Sequence, residues 1–195
     1  NDGFSNLPRS QTYNFNPKFY FYVNTNTELS LGFNTAFDHR KGGDMEVLKG
    51  NENDAHVFFE KNNSERYSTQ LSFRNTKKNG TINFKQSLSY FQRELSIPEY
   101  IFNGNQFSSF SEALYTMHNN ENTEWQFGAN HYLENFEEEN TESTQARNYQ
   151  NQTFGVFLQN TSNLSSKLVF EGGLRTDFNN DFGAFFLPRI SILFK

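Results

Sequence analysis

The 195-residue sequence contains no cysteine, which excludes disulfide staples, thiolate catalysis and the usual zinc ribbons. No apolar run approaches the roughly 18 residues that a membrane-spanning helix requires. There is no basic run interleaved with aromatics, and the formal net charge is -5; both speak against nucleic acid as a partner. The opening "NDGFSNLPRS" shows no initiator methionine, charged n-region or apolar h-region. No targeting segment is expected there, and the chain reads as either mature or cut from something longer.

What the chain does have is phenylalanine. Hydrophobic residues make up 34% of it, yet aromatics make up 17%, with Phe 24 and Tyr 9. Soluble cores rely on Leu, Ile and Val, so a polar chain rich in Phe is an unusual mixture. Strands that offer alternate residues to lipid and to water explain it, because the average hides the apolar face.

Period-2 alternation recurs from end to end, and helical periodicity never persists. Tyr13, Phe15, Pro17, Phe19, Phe21 and Val23 line one face of a first strand. Leu29, Leu31, Phe33 and Phe37 follow after "NTNT", then Tyr67, Thr69, Leu71 and Phe73, then Ile82, Phe84, Leu88 and Tyr90. A fifth strand near Phe107 to His118 leaves two readings open: with Ala113, Tyr115 and Met117 on the apolar face, Phe110 and Leu114 fall on the other. Trp125, Phe127, Ala129 and Leu133 mark the sixth, and Phe154, Val156 and Leu158 the seventh. The eighth carries Leu168, Phe170, Gly172, Leu174, Thr176 and Phe178 against Glu171, Arg175 and Asp177; the ninth carries Ile190, Ile192 and Phe194. On the eight assignable apolar faces there is no Asp, Glu, Lys or Arg, as a lipid-facing surface demands.

The connections separate a membrane sheet from a soluble sandwich. Short turns ("NTNT", "NTKKNG", "NNENT", "NLSSK") alternate with the longer links "HRKGGDMEVLKGNEND", "ELSIPEYIFNGNQ" and "ENFEEENTESTQARNYQN" and the short "NNDFGA". Tight turns at one rim and long loops at the other are the plan of an outer-membrane barrel. Strands of about 10–12 alternating residues suit a tilted membrane strand better than a soluble one. Trp125 past a short turn, and Tyr90, Phe136 and Phe178 at long-loop ends, are expected at headgroup depth. The predicted fold is therefore all-β: an antiparallel up-and-down transmembrane β-barrel segment, with residues 1–195 forming one partial barrel domain. About nine strands is an odd number, and an unclosed membrane sheet leaves unpaired backbone edges in lipid, so a larger barrel is implied.

No catalytic, cofactor or metal site is expected, and the ligand-binding residues are not legible. Glu134, Glu137, Glu138, Glu139 and Glu142 could supply oxygen ligands to Ca²⁺, but they read foremost as a solvated charged loop. His39, His56, His118 and His131 lack metal-ligand spacing. Glu171, Arg175, Asp177 and Arg189 are expected to face the lumen and to pair there, with lining of a cargo path as the alternative. Gly42 and Gly43 in "RKGGD" lack the strand–loop–helix context of a phosphate loop and read as a turn. No Ser, His and Asp spacing marks a nucleophile.

The stretch "TFGVFLQNTSNLSSKLVFEGGLRTDFNNDFGAFFLPRISILFK" resembles the barrel of TonB-dependent outer-membrane receptors. The likeness lies in a "GxFxQN" strand, a short turn, "GxRxD" on the next strand and "PRxS" after a short loop. "FNPKFYFY", "RKGGDMEVLKG" and "TEWQFGANHYLENF" resemble earlier hairpins of the same barrels. The resemblance implies about nine strands of a 22-stranded barrel in a Gram-negative outer membrane, filled by a plug domain of the same full-length protein. It implies contact with outer-membrane lipid, contact with TonB through that plug, and a cargo such as a ferric siderophore, haem, cobalamin or glycan. It also implies a transporter and not an enzyme. Neither a plug nor a TonB-contacting segment is seen in this sequence, and the last residue is Lys195 rather than an aromatic. The alternative is another outer-membrane barrel, a passive pore or a barrel hydrolase.

The face assignment is testable in the full-length protein. Leu174→Arg should lower membrane-inserted yield more than Arg175→Leu, because a lipid-facing arginine costs roughly 2–4 kcal/mol at the bilayer midplane. Equal losses, or the reverse order, would invert the faces.

Overall fold

A computed structural model describes residues 3–120, 122–139 and 147–195. The alternating segments form one antiparallel sheet of ten strands. These are β1 (Arg9–Phe15), β2 (Lys18–Asn24), β3 (Thr27–Gly43), β4 (Phe59–Lys77), β5 (Gly80–Ile97), β6 (Tyr100–Asn120), β7 (Thr123–Glu138), β8 (Tyr149–Asn163), β9 (Leu168–Asn179) and β10 (Gly183–Phe194). A short helix, α1 (Met45–Lys49), lies between β3 and β4. From β3 onward every strand pairs with its neighbour in sequence, the up-and-down order that the alternation predicts.

The first predicted strand is two strands. β1 pairs with the second half of β3 and β2 with the first half, broken at Asn16 and Pro17. Proline has no N–H to give to the ladder and is confined to edges and breaks. Its carbonyl still accepts from the Phe33 amide at 3.0 Å, so the break is local. A register shift between Tyr22 and Asn24 puts Val23 in an irregularity rather than in the regular alternation. Counted along the pairing path, the sheet is nine strands wide, with β2 set end-on to β1.

Register unites the apolar faces. One row runs through directly opposed residues: Phe21, Leu29, Phe73, Phe84, Ala113, Ala129, Val156, Thr176 and Phe186. The row settles β6: Ala113 and Tyr115 lie on the apolar face, opposite Phe84 and Ile82, so Phe110 and Leu114 lie on the polar one. Phe136 also lies on the polar face, because it shares β7's alternation with Glu134 and Glu138, and is not part of an outer aromatic girdle. Among the described residues the only buried hydrophobic side chain is Val47, in α1. This sheet has no core of its own.

The connections differ from expectation at one rim. "ELSIPEYIFNGNQ" is not a long loop: β5 runs to Ile97, β6 starts at Tyr100, and a tight turn with Glu99 at φ 65° joins them. Likewise Glu134, Glu137 and Glu138 belong to β7, and "HRKGG" completes β3. Beyond the membrane both faces of a strand meet water, so the apolar alternation fades while the backbone ladder continues. The sequence pattern loses such strand ends. Two longer connections remain at this rim, 44–58 and 139–148, and the second is only partly within the described residues. At the other rim the turns are tight, with Asn26 N–H donating to Asn24 Oδ1 at 2.9 Å in the first; Glu121 of "NNENT" lies outside the described residues.

β10 pairs only with β9, and β1 and β2 only with β3, so both edges are open. In lipid each unpaired backbone group costs several kcal/mol. Prepared alone in detergent, the chain should therefore not give a closed monomer that migrates faster unheated than boiled on a denaturing gel. Such a band would show closure and refute the open-wall description.

Candidate functional site

On the polar face, charges meet countercharges. Lys85 Nζ lies 3.3 Å from Glu112 Oε1 on the adjacent strand, and Arg189 Nη2 lies 3.0 Å from Glu171 Oε1. Arg175 Nε donates to Asp177 Oδ1 at 2.8 Å, and its Nη2 donates to Asn130 Oδ1 at 3.2 Å. All four residues singled out from β9 and β10 thus pair with each other. Glycines make the room. A Cβ at Gly128 would stand 2.1 Å from the Phe157 ring, and one at Gly155 would stand 2.3 Å from Asp177 Oδ1.

Near the long-loop rim the same face changes from ion pairs to rings. The Phe102 and Phe136 rings stack at 6.4 Å with 14° between planes, and Phe136 and Tyr149 stack at 5.4 Å and 22°. Three strands, β6, β7 and β8, contribute one ring each. Gly104 leaves space for the stack: its Cβ would come within 2.8 Å of Phe102 and 2.9 Å of Phe136. Arg147 caps one end, its guanidinium 5.3 Å from the Phe102 centroid. Such stacked and cation–π contacts are worth about 0.5–1.5 kcal/mol each beyond area burial.

Two carboxylates hold this cluster in place. Glu138, whose side chain is wholly covered, accepts from Arg147 Nη2 at 2.7 Å, Arg147 Nε at 2.8 Å and the Arg147 amide at 2.9 Å. The Arg147 guanidinium and backbone amide hold the Glu138 carboxyl down to about 2. Tyr100 Oη lies 3.2 Å from Arg147 Nη2. Glu134 accepts from Tyr149 Oη at 2.5 Å and also from Tyr132 Oη. The hydrogen bond to Glu134 pushes the Tyr149 phenol up to about 12.

The acidic group does not converge. Glu134 and Glu138 are engaged as above, Glu137 accepts from Asn135 at 3.1 Å, Glu139 accepts from Asn105, and Glu142 lies outside the described residues. The histidines are dispersed: His39 faces Asn63, His56 contacts Asp44 at 2.6 Å, His118 lies 3.3 Å from Glu124, and His131 lies on the apolar face between Ser111 and Phe154. No group of three metal-ligating side chains occurs among the described residues. Gly42 and Gly43 end β3; Gly43 has φ 125° and its amide donates to Ser5 Oγ at 3.0 Å, a turn position. Phe102, Arg147 and Tyr149 went unnoticed in the sequence, since only register brings three distant segments into one stack.

This geometry, one open antiparallel wall with opposed apolar and polar faces, is that of part of a TonB-dependent receptor barrel. No protein-family model matches the sequence, and no curated protein matches it. Solved structures do. The siderophore receptor PirA from Pseudomonas aeruginosa superposes with a TM-score of 0.68 at 13% identity, over 94% of this chain and 30% of that one. The ferric enterobactin receptor PfeA superposes with a TM-score of 0.70 at 10% identity, over 94% and 31%. A variant of the Pseudomonas aeruginosa enterobactin receptor, in complex with enterobactin, gives 0.63 at 10% identity over the same shares. The chain spans less than a third of the length of these receptors.

The Glu138–Arg147 tie yields a pH prediction. Its carboxyl is depressed from 4.5 to about 2 on folding, so the tie stabilises the segment above pH 4.5 and is lost as pH falls toward 2. Limited proteolysis of the full-length protein should show the 139–148 connection resistant at pH 5 and newly cut near pH 3, with an acid-stable protease. Arg147→Ala should make it sensitive at both.

Proposed function

We propose that this chain is a wall segment of a TonB-dependent receptor in a Gram-negative outer membrane, and that the full-length protein imports a small-molecule or glycan cargo. The observation that carries the reading is the pairing of a receptor-barrel fold over 94% of the chain with an apolar row that crosses the sheet from β2 to β10. The apolar face meets lipid and the polar face meets the lumen, where a plug domain from the same protein sits and connects to TonB. The long-connection rim faces the exterior.

In this reading the Phe102, Phe136 and Tyr149 stack, with Arg147 over its end, contributes to the cargo surface. Flat rings receive the planar parts of a chelate, a macrocycle or a sugar. A ferric siderophore is the leading class, because the neighbours in fold include a siderophore receptor and a receptor in complex with enterobactin; haem, cobalamin and glycans follow. Function here is binding and passage, with no bond chemistry assigned to any residue.

The test is energised uptake by the full-length protein under iron limitation. Uptake of a labelled ferric siderophore, haem, cobalamin or glycan should require TonB, and Phe136→Ala with Arg147→Ala should weaken cargo binding by about tenfold or more, in keeping with the loss of two such contacts. Flux that is insensitive to TonB deletion would support a passive pore and overturn the receptor reading.

A further inference from the structure

Toward the long-connection rim the apolar face changes character on three adjacent strands. Its last aromatics there are Tyr13, opposite Phe37, and Tyr67, opposite Tyr90; the Phe37 and Tyr67 rings meet edge-on at 5.7 Å. Two residues further out, Gln11 lies opposite His39, which lies opposite Asn63. Two further again, Arg9 lies opposite Lys41, and Lys41 opposite Lys61. Three cations therefore stand in one cross-strand row, about 4.8 Å from strand to strand.

Like charges placed directly opposite one another destabilise a sheet. The row is only partly compensated. Lys61 Nζ lies 3.5 Å from Glu94 Oε1, Lys41 lies 5.9 Å from the Phe59 centroid, and neither Arg9 nor Lys41 has an ion pair among the described residues. All three are exposed. With Gln11, His39 and Asn63 they border a shallow depression of about 450 Å³. By contrast, the lysine and arginines of the polar face at positions 85, 175 and 189 each have a carboxylate within 3.3 Å.

Depth decides what fits. Arg9 is four residues beyond Tyr13, about 13 Å along the strand and about 10 Å along the membrane normal for a tilt near 40°. With the aromatics at the hydrocarbon boundary, the cations stand at and just above the headgroups. A bound molecule must therefore lay acyl chains on the belt and raise an anion to the row. We propose that Arg9, Lys41 and Lys61 form a binding site for the phosphate groups of an anionic glycolipid of the outer leaflet. The proposal rests on the reading of this rim as exterior and of this face as lipid-facing.

The test uses full-length protein purified from the outer membrane, with retained and added lipid followed by native mass spectrometry. The probes are bis-phosphorylated lipid A, its dephosphorylated form and inorganic phosphate. The parent should retain the phosphorylated lipid, and Arg9→Gln/Lys41→Gln/Lys61→Gln should bind it about tenfold or more weakly, as expected for lost charge-assisted contacts. Lys77→Gln/Lys78→Gln, at the opposite rim, should bind as the parent does, and the dephosphorylated lipid should not distinguish any variant. Should the triple variant fail to insert, Lys41→Gln alone reads the same contrast at about threefold. Equal retention by parent and variant overturns the site, and so does displacement of the lipid by millimolar phosphate, which would mark an adventitious ion only. A parent that does not insert into the outer membrane refutes the underlying receptor reading instead.

Discussion

A backbone in lipid has no water to bond with, and every feature of this sheet follows from that constraint. The ladder runs without interruption from β3 to β10, and the break at Pro17 falls where one side of the strand is already an edge. Side chains do not hold the sheet together in the way a soluble core would, since Val47 is the only buried hydrophobic residue among those described. The stabilising medium of the apolar face is external. In the receptor reading, lipid supplies it, and the two open edges are completed by strands outside this chain.

The inner and outer faces solve different problems on the same strands. On the apolar face, small and large residues oppose one another without crowding, as Ala113 and Ala129 do beside Phe84. On the polar face, long side chains lean across their neighbours, and glycines at 104, 128 and 155 sit beneath them. Phe157 lies over Gly128 while Arg175 reaches past Gly155 to Asn130. Each arginine is thus held in a fixed direction, so the polar face is a patterned surface and not a solvated brush.

The fold was legible in the sequence because its signal is local: period-2 alternation declares a strand and its faces wherever one side meets lipid. The same argument explains each miss. At Leu95 to Gln106 and at Glu134 to Glu138 the pattern dissolves, although the ladder persists, because both sides of those strand ends meet polar surroundings. The β6 faces were ambiguous since Phe110 and Leu114 are apolar residues on the polar side, and register against Phe84 decides between the two alternatives. The aromatic stack was beyond reach for a different reason. Phe102, Phe136 and Tyr149 come from three strands, and no spacing within the sequence encodes which residues lie side by side.

The strands are also longer than a bilayer needs. β4, β5 and β6 have 19, 18 and 21 residues, which at about 3.3 Å per residue and a tilt near 40° makes a wall some 45–50 Å tall against an apolar band of about 25 Å. The surplus stands clear of the membrane as a rigid parapet. Groups carried on it, the Phe102 stack among them, are hydrogen-bonded into position before anything arrives, so capture there involves little loss of chain freedom. A visitor approaching from outside would meet a stiff collar first and mobile tips second.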